Sequence, residues 1–160
     1  MLTSLAATAG KTSLASRIAL GALATGAFTI QSNGSCLNLR GADTNDFTPV
    51  IYFPCSGTGN EEWVFTLSAP PSTFTIANAE SGSAILAFPT TVAPTNAQSL
   101  VIRTDSAVVW DLLSVPGTDL FKIMDTITGN VITAFEGASP GPLQLQPFGV
   151  HIQQFDLVAV

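Results

Sequence analysis

The sequence predicts an all-β domain built from three copies of one unit of about 46 residues. An apolar-polar-apolar motif recurs as Phe-Thr-Ile at residues 28–30 and 74–76 and as Phe-Lys-Ile at residues 121–123. This alternation has the period of a β-strand that turns one face to a core. Units of this length cannot bury their inner faces alone, so three of them share one core around a pseudo-threefold axis. The pattern therefore predicts a β-trefoil with three pseudo-symmetric four-stranded repeats.

A glycine precedes the second strand of every unit. Gly34, Gly82 and Gly129 follow the first strand, and glycine readily takes the positive φ that a tight hairpin requires. The apolar runs after these glycines occupy residues 36–39, 84–88 and 131–135. Each unit thus begins with a predicted β-hairpin.

The third strands lie at residues 50–53, 100–103 and 143–146, and each unit then closes on an aromatic residue. The closing aromatics are Trp63, Trp110 and Phe155, which we expect in the core rather than at a ligand. We place a single trefoil domain at residues 23–160, with repeats at about 23–68, 69–115 and 116–160. A β-sandwich is the alternative architecture, but its strands would not recur three times.

The composition limits the class of partner. Apolar residues make up 46% of the 160 residues and charged residues 10%, well below the usual value of about 25%. The formal net charge is −6, and the five basic residues are scattered, whereas a nucleic-acid backbone requires a basic stripe. No apolar run approaches the roughly 20 residues that cross a bilayer. We expect neither nucleic-acid binding nor a membrane span.

Residues 1–22 form an N-terminal extension before the first repeat. The small residues Ala22 and Ala24 follow an apolar stretch that begins at Ile18, which is the form of a secretory cleavage site. We favour a helix or arm packed on the domain, because the apolar stretch is short and contains Gly21. Secreted and cytoplasmic locations therefore both stay open.

The end of each repeat resembles the Gln-x-Trp signature of ricin B-chain-type β-trefoils. The corresponding triplets are Glu-Glu-Trp at 61–63, Val-Val-Trp at 108–110 and Gln-Gln-Phe at 153–155. The resemblance covers residues 23–160, and members of that family bind sugars in shallow sites, up to one per repeat. It implies a lectin-like, carbohydrate-binding module that takes galactose-type or GalNAc-type glycans and needs no cofactor.

The resemblance also implies which residues would contact a sugar. In the first repeat, Asn38 stands where the family has Asp, Phe53 at the stacking aromatic, Asn60 at the usual Asn and Glu61 at the signature glutamine. The equivalent positions lack this chemistry in the second and third repeats; they are Leu86, Arg103 and Ala107, and Thr133, Gln146 and Ile152. At most one family-type site is therefore expected.

Two cysteines belong to the same first repeat. Cys36 and Cys55 lie on the predicted second and third strands, which similar family members bridge with a disulfide. Two buried thiols in a reducing compartment are the alternative, because the N-terminal segment does not decide the compartment.

Catalysis has little support in the sequence. His151 is the only histidine, and it stands between apolar neighbours near the last strand. Two cysteines and one histidine do not make a conventional zinc site. Glu61 and Glu62 are adjacent and point to opposite faces of a strand, so they are not a hydrolytic pair. We expect a protein that is not an enzyme and that has no metal site.

Three alternatives to sugar binding follow from loops and composition. Trefoil protease inhibitors bind their targets through rigid Pro-rich loops, and residues 87–98 form a predicted loop of this kind. A mean hydropathy of +0.42 also fits an apolar groove for a hydrophobic small molecule or a protein partner. A homodimer that exchanges residues 2–20 as an arm would bury the same apolar surface.

Overall fold

The computed structural model describes residues 26–69, 72–89, 98–149 and 151–160. These described residues form fourteen strands, which are β1 (Gly26–Ser32), β2 (Ser35–Leu39), β3 (Val50–Pro54), β4 (Glu62–Ala69), β5 (Thr73–Asn78), β6 (Ile85–Ala87), β7 (Gln98–Ser99), β8 (Val101–Arg103), β9 (Trp110–Ser114), β10 (Phe121–Asp125), β11 (Val131–Thr133), β12 (Gly141–Pro142), β13 (Gln144–Gln146) and β14 (Asp156–Ala159). Short 3-10 turns cover Arg40–Ala42 and Gly59–Glu61. The predicted extension over 1–22 and most of the predicted inhibitor loop lie outside the described residues.

The strands form a barrel with three hairpins. Strands β1, β4, β5, β9 and β10 pair antiparallel in that order, and β14 pairs with β1 on its other side. A bridge between Phe121 of β10 and Phe155, the residue before β14, has both N–H···O distances at 2.8 Å and closes the barrel. The hairpins β2–β3, β6–β8 and β11–β13 are the other paired strands of the three repeats. The predicted all-β trefoil of three four-stranded repeats is confirmed.

The core contains the residues that the repeat predicts. Both apolar positions of each recurring motif are buried, because alternate residues of a strand face the same side. Trp63, Trp110 and Phe155 are fully buried, as expected. The indole Nε1 of Trp63 donates to Leu37 O and that of Trp110 to Leu86 O, both at 3.0 Å, so the tryptophans hold the second strands of their own repeats.

The hairpin register corrects one equivalence between repeats. Asn38 pairs with Ile51 in the first hairpin, and Ala87 pairs with Val101 in the second. Ala87, and not Leu86, is therefore the counterpart of Asn38, and Leu86 faces the core. The assignment of Leu86 was wrong because the turn after Gly82 contains one residue more than the turn after Gly34. Neither side chain offers a hydrogen-bond acceptor, so the second repeat still lacks that part of a family-type site.

Candidate functional site

The outer face of the first hairpin carries the predicted ligand residues. Directly opposite residues in an antiparallel pair point to the same side, and the register pairs Cys36 with Phe53 and Asn38 with Ile51. These four side chains therefore share one surface, which we call the first-repeat face. Tyr52, the neighbour of Phe53, is buried, whereas Phe53 is 36% exposed. An aromatic side chain is thus available on the outside of β3.

A chain of side-chain amides lies beside this aromatic residue. Asn60 Nδ2 donates to Asn38 Oδ1 at 3.2 Å and to the carbonyl oxygen of Leu39 at 3.0 Å. Asn38 Nδ2 donates in turn to Glu61 Oε1 at 3.3 Å. Asn38 is only 5% exposed and Asn60 is partly buried, so Asn60 is the more accessible of the two amides, although Asn38 Oδ1 retains a lone pair after its bond with Asn60. The structure brings together Asn38, Asn60 and Glu61, three of the four predicted residues, and places Phe53 on the same face.

Glu61 forms the buried base of this arrangement. Its side chain is 0% exposed. The backbone N–H of Ser56 donates to both carboxylate oxygens at 2.9 and 3.0 Å, the Ser56 hydroxyl donates to Oε1 at 2.8 Å, and the Gly57 N–H donates to Oε2 at 2.8 Å. Burial raises the pKa of Glu61, but the bonds from Ser56, Gly57 and Asn38 lower it more, and the pKa lies below its ordinary value. An ionised Glu61 therefore fastens the loop after β3 to β2.

The burial of Glu61 changes its expected role. The family resemblance implies that Glu61 contacts a sugar directly, but a fully buried carboxylate has no surface to offer to a ligand. Its geometry fits a positioning residue that acts through Asn38 and the loop.

We call the hydrogen bonds by which Glu61 ties the loop after β3 to β2 the clamp. The third repeat contains a neutral version of it. Gln153, at the position equivalent to Glu61, donates from Nε2 to Thr133 Oγ1 at 3.1 Å and to Pro147 O at 2.8 Å. Its Oε1 accepts from the backbone N–H of Gly149 at 3.0 Å. The signature position thus holds the loop before the last strand in two repeats. Sequence reasoning missed this structural role, although the recurrence of the signature at every repeat end was a signal for it.

A disulfide crosses the first-repeat face. Cys36 and Cys55 are bonded, with their Cα atoms 5.1 Å apart and a sequence separation of 19 residues. Closing a loop of this size contributes about 3 kcal/mol in the chain-entropy model. The bond ties the loop that carries Ser56 and Gly57 to β2, next to Asn38.

The second repeat has a different surface at the corresponding place. Arg103 occupies the position of Phe53 but is only 4% exposed, and it pairs with Asp105 through two hydrogen bonds of 2.8 and 2.9 Å. The ring of Phe47 lies 5.3 Å from the guanidinium carbon. A cavity of about 240 Å³ adjoins this ion pair, with Phe88, Ala107, Val108 and Ile127 in its wall. This cavity is mainly apolar.

In the part of the chain that the structure describes, no group of three or more His, Cys, Asp or Glu side chains is placed to hold a metal ion. No helix in the same part is long and apolar enough to cross a membrane. The His151 ring lies 4.8 Å from the ring of Phe135 in a tilted arrangement.

Comparison with known proteins identifies the fold. Neither a protein-family model nor a curated protein sequence matches the chain. The designed three-fold symmetric protein ThreeFoil matches with a TM-score of 0.74 and 17% identity, over 84% of this chain and 99% of that one. The Rhizoctonia solani agglutinin matches with a TM-score of 0.75 and 19% identity, over 86% of this chain and 97% of that one. The Macrolepiota procera ricin B-like lectin, solved in complex with lactose, matches with a TM-score of 0.69 and 20% identity, over 86% of this chain and 97% of that one. The chain therefore has a ricin B-type β-trefoil fold.

Proposed function

We propose that the chain binds carbohydrate through a single site on the first-repeat face, and that it acts by binding rather than by catalysis. The observation that carries this proposal is the exposed Phe53 on the same face as the linked amides of Asn38 and Asn60. Lectins with the same fold support it, including the agglutinin and the lactose-bound lectin.

The chemistry of the site suits a sugar ring. Phe53 offers an apolar plane for the C–H face of a pyranose. The partly exposed Asn60 offers its amide to the sugar hydroxyls, with the more deeply buried Asn38 behind it. Galactose-type and GalNAc-type sugars are the proposed ligands. Asn38 carries no charge, so its bond with a hydroxyl lacks charge assistance, which lowers the binding energy by about 1–2 kcal/mol relative to a carboxylate. We therefore expect binding of one monosaccharide to be weak.

A calorimetric titration with galactose, GalNAc and lactose tests this function. The wild-type chain should bind at least one of them with a stoichiometry of one. Phe53→Ala should abolish the binding, because it removes the stacking plane. Phe148→Ala is the matched control, since Phe148 is also an exposed aromatic, 54% accessible, but belongs to the third repeat, where its ring lies 4.5 Å from Lys122 Nζ. Absence of binding at millimolar sugar, or an equal loss in both variants, would overturn the proposal.

The second repeat supports a different candidate function. Its apolar cavity of about 240 Å³ fits a small hydrophobic molecule, with the ion pair of Arg103 and Asp105 at one side. Indole is a suitable probe in an NMR titration, and Ala107→Phe would fill the cavity. Shifts at Val108 and Ile127 that vanish in this variant would support hydrophobic binding, and unshifted resonances would oppose it. Protease inhibition through residues 87–98 and exchange of an N-terminal arm in a homodimer stay predictions.

A further inference from the structure

A row of side chains crosses four strands beside the first-repeat face. The register places Asp156 of β14 opposite Gln31 of β1, Gln31 opposite Cys36 of β2, and Cys36 opposite Phe53 of β3. Directly opposite residues share a face, so these side chains form one continuous row. Gln31 Oε1 lies 3.9 Å from Cys36 Sγ and 3.7 Å from Cys55 Sγ, which places the amide against the disulfide. With strands about 4.8 Å apart, the row extends about 14 Å from Phe53 to Asp156.

The far end of this row has an unused hydrogen-bond acceptor. Asp156 Oδ1 is buried and finds no hydrogen-bond donor among the residues that the structure describes. Burial and the nearby negative charge of Asp119 raise the pKa of Asp156, while the Leu157 N–H lowers it. The equivalent residue of the second repeat, Asp111, accepts a hydrogen bond from the Ser72 hydroxyl. Buried acceptors are nearly always paired, so the orphaned oxygen of Asp156 requires an explanation.

Asp156 as a whole is partly exposed, and space for a ligand lies beside it. A cavity of about 300 Å³ is lined by Asp156 and Gln31, by Ser32, Asn33 and Gly34 of the first hairpin turn, and by Leu120. About half of its wall is polar, and the side chains of Asp156, Gln31, Ser32 and Asn33 all bear oxygen atoms that accept hydrogen bonds. A ligand that brings several hydroxyl donors matches this wall.

We propose that Asp156 and its cavity form the far end of an extended glycan site that begins at Phe53. An oligosaccharide lies along the row over the disulfide and Gln31, and one of its hydroxyls donates a hydrogen bond to the carboxylate of the partly exposed Asp156. A single sugar ring is much shorter than the row, so Asp156 distinguishes oligosaccharides from monosaccharides. This inference rests on the proposed function, because Phe53 anchors the first sugar.

Calorimetric titration with methyl galactoside and with galactose-terminated oligosaccharides of increasing length tests the extended site. The wild-type chain should bind the longer glycans more tightly. Asp156→Ala should weaken the longer glycans about tenfold, the usual effect of losing a charge-assisted hydrogen bond, and leave methyl galactoside unchanged. Asp111→Ala is the matched control and should change neither. Asp156→Asn keeps the shape of the side chain and checks that loss of binding is not loss of folding.

The outcomes separate the extended site from the proposed function. The extended site would be overturned, and the first-repeat site left in place, if methyl galactoside bound and longer glycans bound no more tightly. The same would follow if the Asp156→Ala variant kept the full increase in affinity with glycan length. Failure of every glycan to bind would overturn both. NMR gives a second readout, because the amide signals of Gly34 and Leu120 should shift with the longer glycans and not with methyl galactoside. Shifts with both ligands, or with neither, would contradict the extended site.

Discussion

Substitution of Glu61 by glutamine tests the buried clamp of the first repeat. The carboxylate accepts hydrogen bonds from the Ser56 N–H and hydroxyl, the Gly57 N–H and the Asn38 amide. Glutamine offers one oxygen and one NH₂ group, so in either orientation the NH₂ faces at least one donor. A buried donor that is left without an acceptor lowers the stability of the fold by about 1–3 kcal/mol. We expect Glu61→Gln to lower the free energy of unfolding by about 2 kcal/mol and Tm by about 4–8 °C.

Urea unfolding followed by the fluorescence of the buried Trp63 and Trp110 measures this change. Glu62→Gln is the control, because Glu62 is the adjacent residue and is not part of the clamp. The pH dependence gives an independent check. The folded-state pKa of Glu61 is lowered, so its stabilisation is complete above the unfolded-state pKa of about 4.3 and disappears as pH falls through the folded-state value. Equal stabilities of the two variants at pH 7, or a difference that does not change with pH, would refute the clamp.

Two further changes test other parts of the structure. Replacing Cys36 and Cys55 together by serine should lower the free energy of unfolding by about 3 kcal/mol in urea titrations, and adding dithiothreitol should do the same to the wild type; unchanged stability in both would contradict a structural disulfide. Asp156→Asn should stabilise the chain at neutral pH, because the folded-state pKa of Asp156 is raised by burial and by Asp119, and the gain should disappear as pH falls through that raised value. A destabilised Asp156→Asn variant at pH 7 would mean that the carboxylate has an essential partner.

The sequence was a good guide to the strands that face the core. A period of two places Phe28 and Ile30 in the core, and the same parity correctly turns Tyr52 inward and Phe53 outward. The equivalence of Leu86 with Asn38 failed because it was counted from a glycine. One extra residue in the turn after Gly82 shifts the register, and each residue of shift exchanges the two faces of a strand.

The polar part of the site could hardly be predicted from the sequence. We expected Glu61 and Glu62 to point to opposite faces of one strand, but Glu61 lies in a 3-10 turn and only Glu62 lies in β4. The alternation of a strand therefore does not apply to Glu61 and could not predict its burial. Arg103 and Asp105 are two residues apart, but their pairing depends on local loop geometry. The orphaned oxygen of Asp156 arises from the pairing of β14 with β1, which are far apart in the sequence. Such contacts follow from the tertiary fold and not from a local pattern.

The most direct test of the central claim is an NMR titration of the isotopically labelled chain with galactose, followed through backbone and side-chain amide signals. The first-repeat site predicts shifts at the side-chain amides of Asn38 and Asn60 and at the backbone amides of Ser56 and Gly57, which share the clamp. Signals of the third-repeat clamp around Gln153 should stay unchanged. Shifts concentrated in the second or third repeat, or no shifts at millimolar galactose, would contradict a galactose site on the first-repeat face.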